Sequence, residues 1–391
     1  MTVQTAIAEL SPYILPEGSR AARDMPRPPE LRQPGYTERF DFRTLFYDAF
    51  HYKNLIMLIG PPLFNFRIPL QRGKFWLDDK PLADDAFALR DLNNMSRTTA
   101  VASSPHHAKI QFRAAAPYEN DVYGAIKIQK NQSRIFNGKR VLLVLSKNNP
   151  LRWIRDLISF YVKFHGIDAV LLYDNASDAY SNEELLAAVA SVEGIRAAVV
   201  VPYNVPWGPP AGASGKWDSN FAQYAALEHA RFRFLSTCAG VIYTDVDELV
   251  VPHRNITLFD AMRIAKYPAI TYGSYTFLMV NAEEKKELHY RDFKYYYDPA
   301  MPPPVLSDVT LNTIMRWTAI PEYIPFDVQF SVHTFSGYQM LNVSDWFRIR
   351  HFLPMTALGD KKGRLKSVPY DKNVHRLDVD LLRAMKVIGW S

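Results

Sequence analysis

From Arg140 onward the chain alternates short, unbroken apolar runs with longer segments whose apolar residues recur every three to four positions. Residues 141–145 (VLLVL), 169–173 (AVLLY), 197–201 (AAVVV) and 241–243 read as strands buried on both faces. Three amphipathic stretches separate them. The first carries Trp153, Leu157, Phe160, Tyr161 and Phe164 along one side, with Asn149 as N-cap, Pro150 at the first helical position and Gly166 at its end. The second opens on Ser181 and Glu184, spaced as a capping box, and runs to Val192. The third spans 217–235, with Phe221, Ala225, Glu228 and Phe232 on one side. This alternation predicts an α/β unit with a mainly parallel sheet flanked by helices. Ligands of such sheets sit outside the carboxyl ends of the strands, so the polar segments 147–149, 174–178 and 245–248 should converge on one crevice.

The first third of the chain reads differently. Residues 1–36 are rich in proline (Pro12, Pro16, Pro26, Pro28, Pro29, Pro34) and lack periodicity, which predicts an extended or poorly ordered arm. Residues 37–138 hold closely spaced short apolar runs at 55–59, 64–69, 108–112 and 122–128, broken by Pro, Gly, Asn and Asp. They predict a small β-rich N-terminal domain ahead of an α/β domain at 139–391. No internal repeat is present.

Composition narrows the function classes. With 48% hydrophobic and 22% charged residues among 391, whole-chain disorder is excluded. Cys238 is the single cysteine, which excludes a disulfide framework and a zinc site built of several thiolates. The net charge of +6 suits phosphate-bearing ligands or peripheral contact with an anionic membrane, and is too weak to imply nucleic acid. The apolar stretch 55–66 is too short to span a bilayer and is interrupted by Pro61 and Pro62. The first thirty residues carry Glu9, Glu17, Arg20, Arg23 and Asp24 and no apolar signal region, so a cytoplasmic location, at most peripheral at the membrane, is expected.

Asp245-Val246-Asp247 is the most informative chemistry. Two carboxylates one residue apart leave a buried strand together and share a face if the chain stays extended. Their repulsion near a dry core calls for a cation, and hard ions such as Mn²⁺ or Mg²⁺ take oxygen ligands while keeping positions open for phosphate. A strand-end turn capped by aspartates has the same spacing.

The segment Asp245-Val246-Asp247-Glu248-Leu249 resembles the D-x-D-E segment of GT-A-fold glycosyltransferases. Lys147-Asn148-Asn149, Trp153, Tyr161, His165-Gly166, Tyr173-Asp174-Asn175, Ser177 and Asp178 resemble the opening of the family-92-like and related family-2-like groups. Gln223 matches a recurrent position there, and Ile349-Arg350-His351-Phe352 followed by Lys361-Lys362-Gly363 resembles their late histidine segment. The sequence departs at Asn149, usually Glu in those groups, and at Phe352, usually Tyr. The resemblance implies a GT-A-like fold and an inverting, metal-dependent transfer of sugar from a nucleotide-sugar donor to a glycan or glycoconjugate hydroxyl, as in polysaccharide biosynthesis. It implies that Asp247 and His351 bind Mn²⁺ or Mg²⁺, with Asp245 on the metal or the ribose and His333 as the alternative histidine. It places Lys147, Asn148, Asp174, Asn175, Ser177, Gln223 and Asp245 around the nucleotide-sugar.

Lys361, Lys362 and Arg364 form a basic cluster that closes over the diphosphate or is a solvated turn. Inversion needs a carboxylate base; Glu283, Glu284 and Asp327 are the candidates, although 283–287 (EEKKE) also reads as an exposed helical turn. Two other functions compete. One is a nucleotidyltransferase making nucleotide-sugars, which the absence of a Gly-rich basic loop after the first strand disfavours. The other is a non-catalytic carbohydrate-binding or scaffold protein.

Overall fold

A computed structural model describes residues 2–102, 104–116, 121–211, 215, 217–281, 287–301, 314–355 and 367–390. Among the described residues, twelve strands build one large sheet. Its first half is parallel, in the order Gln4–Ile7, Ala197–Pro202, Ala169–Asp174, Arg140–Ser146, Gly240–Thr244. The apolar runs supply these strands because both faces are covered. On one face Leu151–His165 buries Trp153, Leu157 and Tyr161 against Leu142, Val144, Val170 and Leu172. On the other, Phe221–Arg233 packs Ala222, Ala226 and Ala230 against Leu143, Leu171 and Val199.

The sheet is mixed rather than mainly parallel. Met315–Ala319 joins Gly240–Thr244 in the antiparallel sense, followed by Ala269–Phe277, Tyr295–Tyr297 and His375–Leu377, each antiparallel to its neighbour. Glu248–Pro252 turns away from the parallel half and pairs with Phe347–Phe352, which lies parallel to Ala269–Phe277. Apolar runs alone do not reveal the direction of these later strands.

Local signals place the helices with small offsets. The capping box is present: Glu184 N–H donates to Ser181 Oγ at 3.1 Å and Ser181 N–H to Glu184 Oε2 at 2.8 Å. The first helix ends on Gly166 in the left-handed region, φ 64°, and begins at Leu151 with Pro150 rather than Asn149 as the cap. The third begins at Phe221, not Trp217. Arg27 binds the Asp218 carboxylate at 2.6 Å and Tyr36 OH meets Ser219 Oγ at 2.8 Å, which holds 218–219 outside the helix. The proline-rich segment is thus extended but built in, with Gln4–Ile7 as an edge strand and Arg27 buried.

Within 48–127, two four-stranded antiparallel sheets form a sandwich. Leu55–Gly60 alternates in the expected way: Ile56 and Leu58 face the sandwich core, while Met57 and Ile59 join the core beneath Phe221–Arg233. Among the described residues no helix is long and apolar enough to cross a membrane.

Candidate active site

The strand order reverses at Arg140–Ser146, which has Ala169–Asp174 on one side and Gly240–Thr244 on the other. That reversal opens a crevice at the carboxyl ends of these strands, and Asp245 follows directly from one of them. The turn 245–247 is braced from below by Leu151–His165. Tyr161 OH donates to Thr244 Oγ1 at 3.1 Å and accepts from Val250 N–H at 3.2 Å. His165 Nε2 donates to the Val250 carbonyl at 2.7 Å, and its Nδ1 accepts from Leu258 N–H. Burial lowers the His165 pKa to about 4, with the Val250 bond opposing the shift, so the ring is neutral. Tyr290 OH donates to the Val246 carbonyl at 2.5 Å. Tyr161 and His165, both part of the resemblance, therefore hold the acidic turn and do not enter the crevice.

Three donors gather at the turn. One ligand atom each from Asp247, Glu248 and His351 lies within 4.8 Å of the other two, a grouping found among the described residues. Register explains it: Glu248 and His351 are directly paired across Glu248–Pro252 and Phe347–Phe352, so their side chains share a face. His351 Nε2 is 3.4 Å from Asp247 Oδ2. Burial disfavours the His351 imidazolium, but the Asp247 carboxylate outweighs it and the ring titrates above its ordinary value.

Glu248 is fully buried and its two oxygens differ. Oε2 accepts from Arg316 Nε at 2.8 Å and from Asp245 N–H at 3.1 Å. Oε1 is buried without a hydrogen-bond partner. A buried carboxylate oxygen left bare is costly, and a cation satisfies it. Two carboxylates and an imidazole fit Mn²⁺, which accepts nitrogen, better than Mg²⁺.

Asp245 is not one of the three clustered donors. Its carboxylate pairs with Arg316 Nη2. Partial burial and the repulsion of Glu248 and Asp247 raise the Asp245 carboxyl above its ordinary value, against the pull of Arg316. Burial also works against the Arg316 cation, but Asp245 and Glu248 hold it charged. His333 is exposed, with Nδ1 at 3.0 Å from the Met315 carbonyl and 3.1 Å from Arg316 Nη1, and it is not one of the three clustered donors.

Several of the remaining predicted residues lie at the strand ends, where they bond to one another and to neighbouring backbone. Asp174 accepts from Ser177 N–H at 2.9 Å and Oγ at 2.5 Å. Asn175 donates to the Tyr203 and Val205 carbonyls at 2.9 and 2.8 Å. Asn148, with φ 53°, donates through its N–H to Ser177 Oγ at 2.7 Å and accepts from Asp178 N–H at 2.9 Å. These bonds stitch two strand-end loops together, with exposed Lys147 beside them. Gln223 Nε2 donates to Tyr243 OH at 2.9 Å, and Arg316 lies 5.2 Å above that ring. Asp327 does not join the group. It is exposed in a segment whose Ile324 and Val328 carbonyls are held by Arg231, at the carboxyl end of Phe221–Arg233. That is the end of the sheet opposite the crevice, which places Asp327 away from the three clustered donors. Glu283, Glu284, Lys361, Lys362 and Arg364 lie outside the described residues.

Sequence reading missed two members. Glu248 had a signal, since it directly follows D-x-D at the start of a buried strand. Arg316 had none: it is 71 residues from Asp245.

No family model matches the sequence, and no curated protein matches it. Among solved structures, the chain is similar to the mannosyltransferase Ktr4p of S. cerevisiae, with TM-score 0.24 and 14% identity over 36% of this chain and 39% of that one. Core-mannan synthase A of Aspergillus fumigatus, in a Mn/GDP form, gives 0.24 and 10% over 37% and 42%. S. aureus TarS gives 0.25 and 13% over 64% and 39%. The chain therefore spans about two fifths of the length of each of these proteins. Likeness at this level says nothing about activity, and the functional reading rests on the site.

Proposed function

We propose that the chain is a divalent-metal-dependent glycosyltransferase of GT-A-like architecture, moving a sugar from a nucleotide-sugar to a hydroxyl of a glycan or glycoconjugate. The observation that carries this reading is the three-donor group Asp247, Glu248 and His351 at the point where strand order reverses, together with the buried Glu248 oxygen that lacks a hydrogen-bond partner. A bound Mn²⁺ there supplies Lewis-acid neutralisation of a diphosphate.

The chain's own residues do the rest. Arg316 neutralises Asp245 and one oxygen of Glu248, so the three acidic side chains coexist at the crevice. The Tyr161–His165 brace fixes the turn before any ligand arrives, so no reorganisation is needed on binding. The acceptor oxygen bonds to the anomeric carbon as the bond to the diphosphate oxygen breaks, and the hydroxyl proton passes to a carboxylate base. Glu283 and Glu284 stay as the candidates for that base. Opposite-face attack gives inversion.

Calorimetry with UDP and GDP, with and without Mn²⁺, tests the reading, followed by a nucleotide-sugar screen for product. Metal-dependent binding that Asp247→Ala abolishes without unfolding the chain is expected, with release of nucleoside diphosphate. Pyrophosphate as product would instead assign a nucleotidyltransferase. Mn²⁺-independent binding, or wild-type turnover in Asp247→Ala, would remove the metal role.

A further inference from the structure

The sandwich has an outer face that the α/β unit does not cover. It is built by Lys74–Leu77, Lys109–Ala114 and Val122–Lys127, with Phe75, Phe112 and Ile126 turned into the core. The alternate positions point outward: Trp76, Gln111, Ala125 and Tyr123. Trp76, Gln111 and Ala125 form one cross-strand row, and Tyr123 stands two residues along from Ala125. Strand and residue spacing put the two aromatic Cα atoms about 12 Å apart, on a diagonal. Between them is a cleft of about 410 Å³, lined by Trp76, Asp79, Gln111, Tyr123 and the small Gly124 and Ala125.

The groups in this cleft are held in place. Tyr123 is 65% exposed, yet Arg113 lies 5.4 Å from its ring and Tyr13 OH donates to its carbonyl at 3.0 Å. Asp79 fixes both ends of the Gln111 amide: Nε2 donates to Asp79 Oδ1 at 2.9 Å, and Oε1 accepts from Asp79 N–H at 3.2 Å. Of the two rings Tyr123 is exposed and Trp76 half-buried, and both line the cleft.

Charge identifies the ligand class. Four basic side chains on this face are ion-paired: Lys74 with Asp84 at 3.0 Å, Lys109 with Asp79 at 3.1 Å, Arg113 with Asp121 at 2.5 Å and Lys127 with Glu9 at 3.2 Å. Charges paired in this way offer only a weak field to anionic lipid, nucleic acid or acidic peptide. Flat rings with a fixed amide and carboxylate between them match a neutral sugar chain, whose C–H faces stack and whose hydroxyls both donate and accept. We infer that the Trp76–Tyr123 cleft is an accessory binding site for neutral oligosaccharide, remote from the acidic crevice. It does not depend on the enzymatic reading. Where both hold, tethering a polymeric acceptor raises its effective concentration at the crevice.

The test presents the full chain to immobilised short neutral oligosaccharides (linear glucans, mannans and xylans) and, separately, to anionic-lipid vesicles. Retention on at least one neutral glycan is expected, weakened about tenfold by Trp76→Ala and by Tyr123→Ala, with thermal melting unchanged. Nucleoside diphosphate binding with Mn²⁺ should be unaltered in both variants. If wild type binds glycan but no nucleotide, the crevice assignment fails and this one stands. No neutral glycan retained, binding indifferent to both substitutions, binding to vesicles alone, or a dimer in sedimentation that Tyr123→Ala dissolves would each overturn it.

Discussion

One guanidinium decides whether the acidic turn is tolerable. Arg316 spans Asp245 and Glu248, and Glu248 is fully buried. Arg316→Ala leaves those carboxylates facing each other with Asp247 nearby, a loss expected to cost about 3–5 kcal/mol. Arg316→Lys keeps the charge but not the two-pronged geometry, and should recover only part of it. Urea titration of both variants measures this, and a wild-type midpoint in Arg316→Ala would refute the role. Glu248→Gln makes a separate point. It keeps the volume and removes the charge that the bare Oε1 presents, so Mn²⁺ affinity should fall well below wild type while the fold persists. An unchanged Mn²⁺ isotherm would leave Glu248 as a partner of Arg316 only. The part of Arg316 is not legible from local sequence, because it arises from an antiparallel strand inserted beside Gly240–Thr244, whereas Glu248 directly follows D-x-D.

At the scale of elements, four strands of the parallel half were readable because each is an apolar run, while the edge strand Gln4–Ile7, which is not one, was read as part of an arm. Asp245 and Asp247 were readable for the same reason: they end such a run. The antiparallel half was not, since 269–277 and 315–319 mix polar and apolar residues, and their partners are set by distant packing. Tyr161 and His165 show the limit well. Their motif was visible, but not that Leu151–His165 uses them to brace the strand Glu248–Pro252. That brace has a pH signature. The folded-state pKa of His165 is lowered to about 4, whereas the unfolded chain titrates near the ordinary 6.5. Between these values the unfolded state binds the extra proton, so the stability His165 contributes is complete above about 6.5 and declines toward about 4. The loss approaches about 3 kcal/mol. Urea denaturation across that window should show a steeper acid loss in wild type than in His165→Phe. Parallel profiles would contradict it.

At the scale of the whole molecule, the sandwich and the α/β unit meet through buried charge. Asp48 Oδ2 accepts from His229 Nε2 at 2.9 Å and Arg233 Nη1 at 2.7 Å, and its Oδ1 accepts from Ser11 N–H at 2.8 Å. Arg97 reaches Glu228 at 2.7 Å, and the other Glu228 oxygen accepts from Phe330 N–H at 2.8 Å. Burial lowers the His229 pKa and the Asp48 bond offsets this only in part, so the neutral ring donates to Asp48 and accepts from Tyr173 OH at 2.7 Å. The acids Asp48 and Glu228 come from opposite units, as do their cations. Parting the units strands ions of both signs in apolar surroundings, including the Phe232 and Phe326 rings that flank Arg97 at 5.3 and 4.5 Å. The two units should therefore unfold together. Calorimetry is expected to show one transition, and Asp48→Ala to lower it by the equivalent of about 3–5 kcal/mol while keeping it single. A fragment of residues 139–391 should fail to fold, since it exposes Glu228 and Arg233 beside the apolar helix face that Phe50, Met57 and Met95 cover. Two separated transitions, or a soluble fragment with native near-ultraviolet dichroism, would show that the sandwich is an attachment rather than part of the scaffold that holds the crevice.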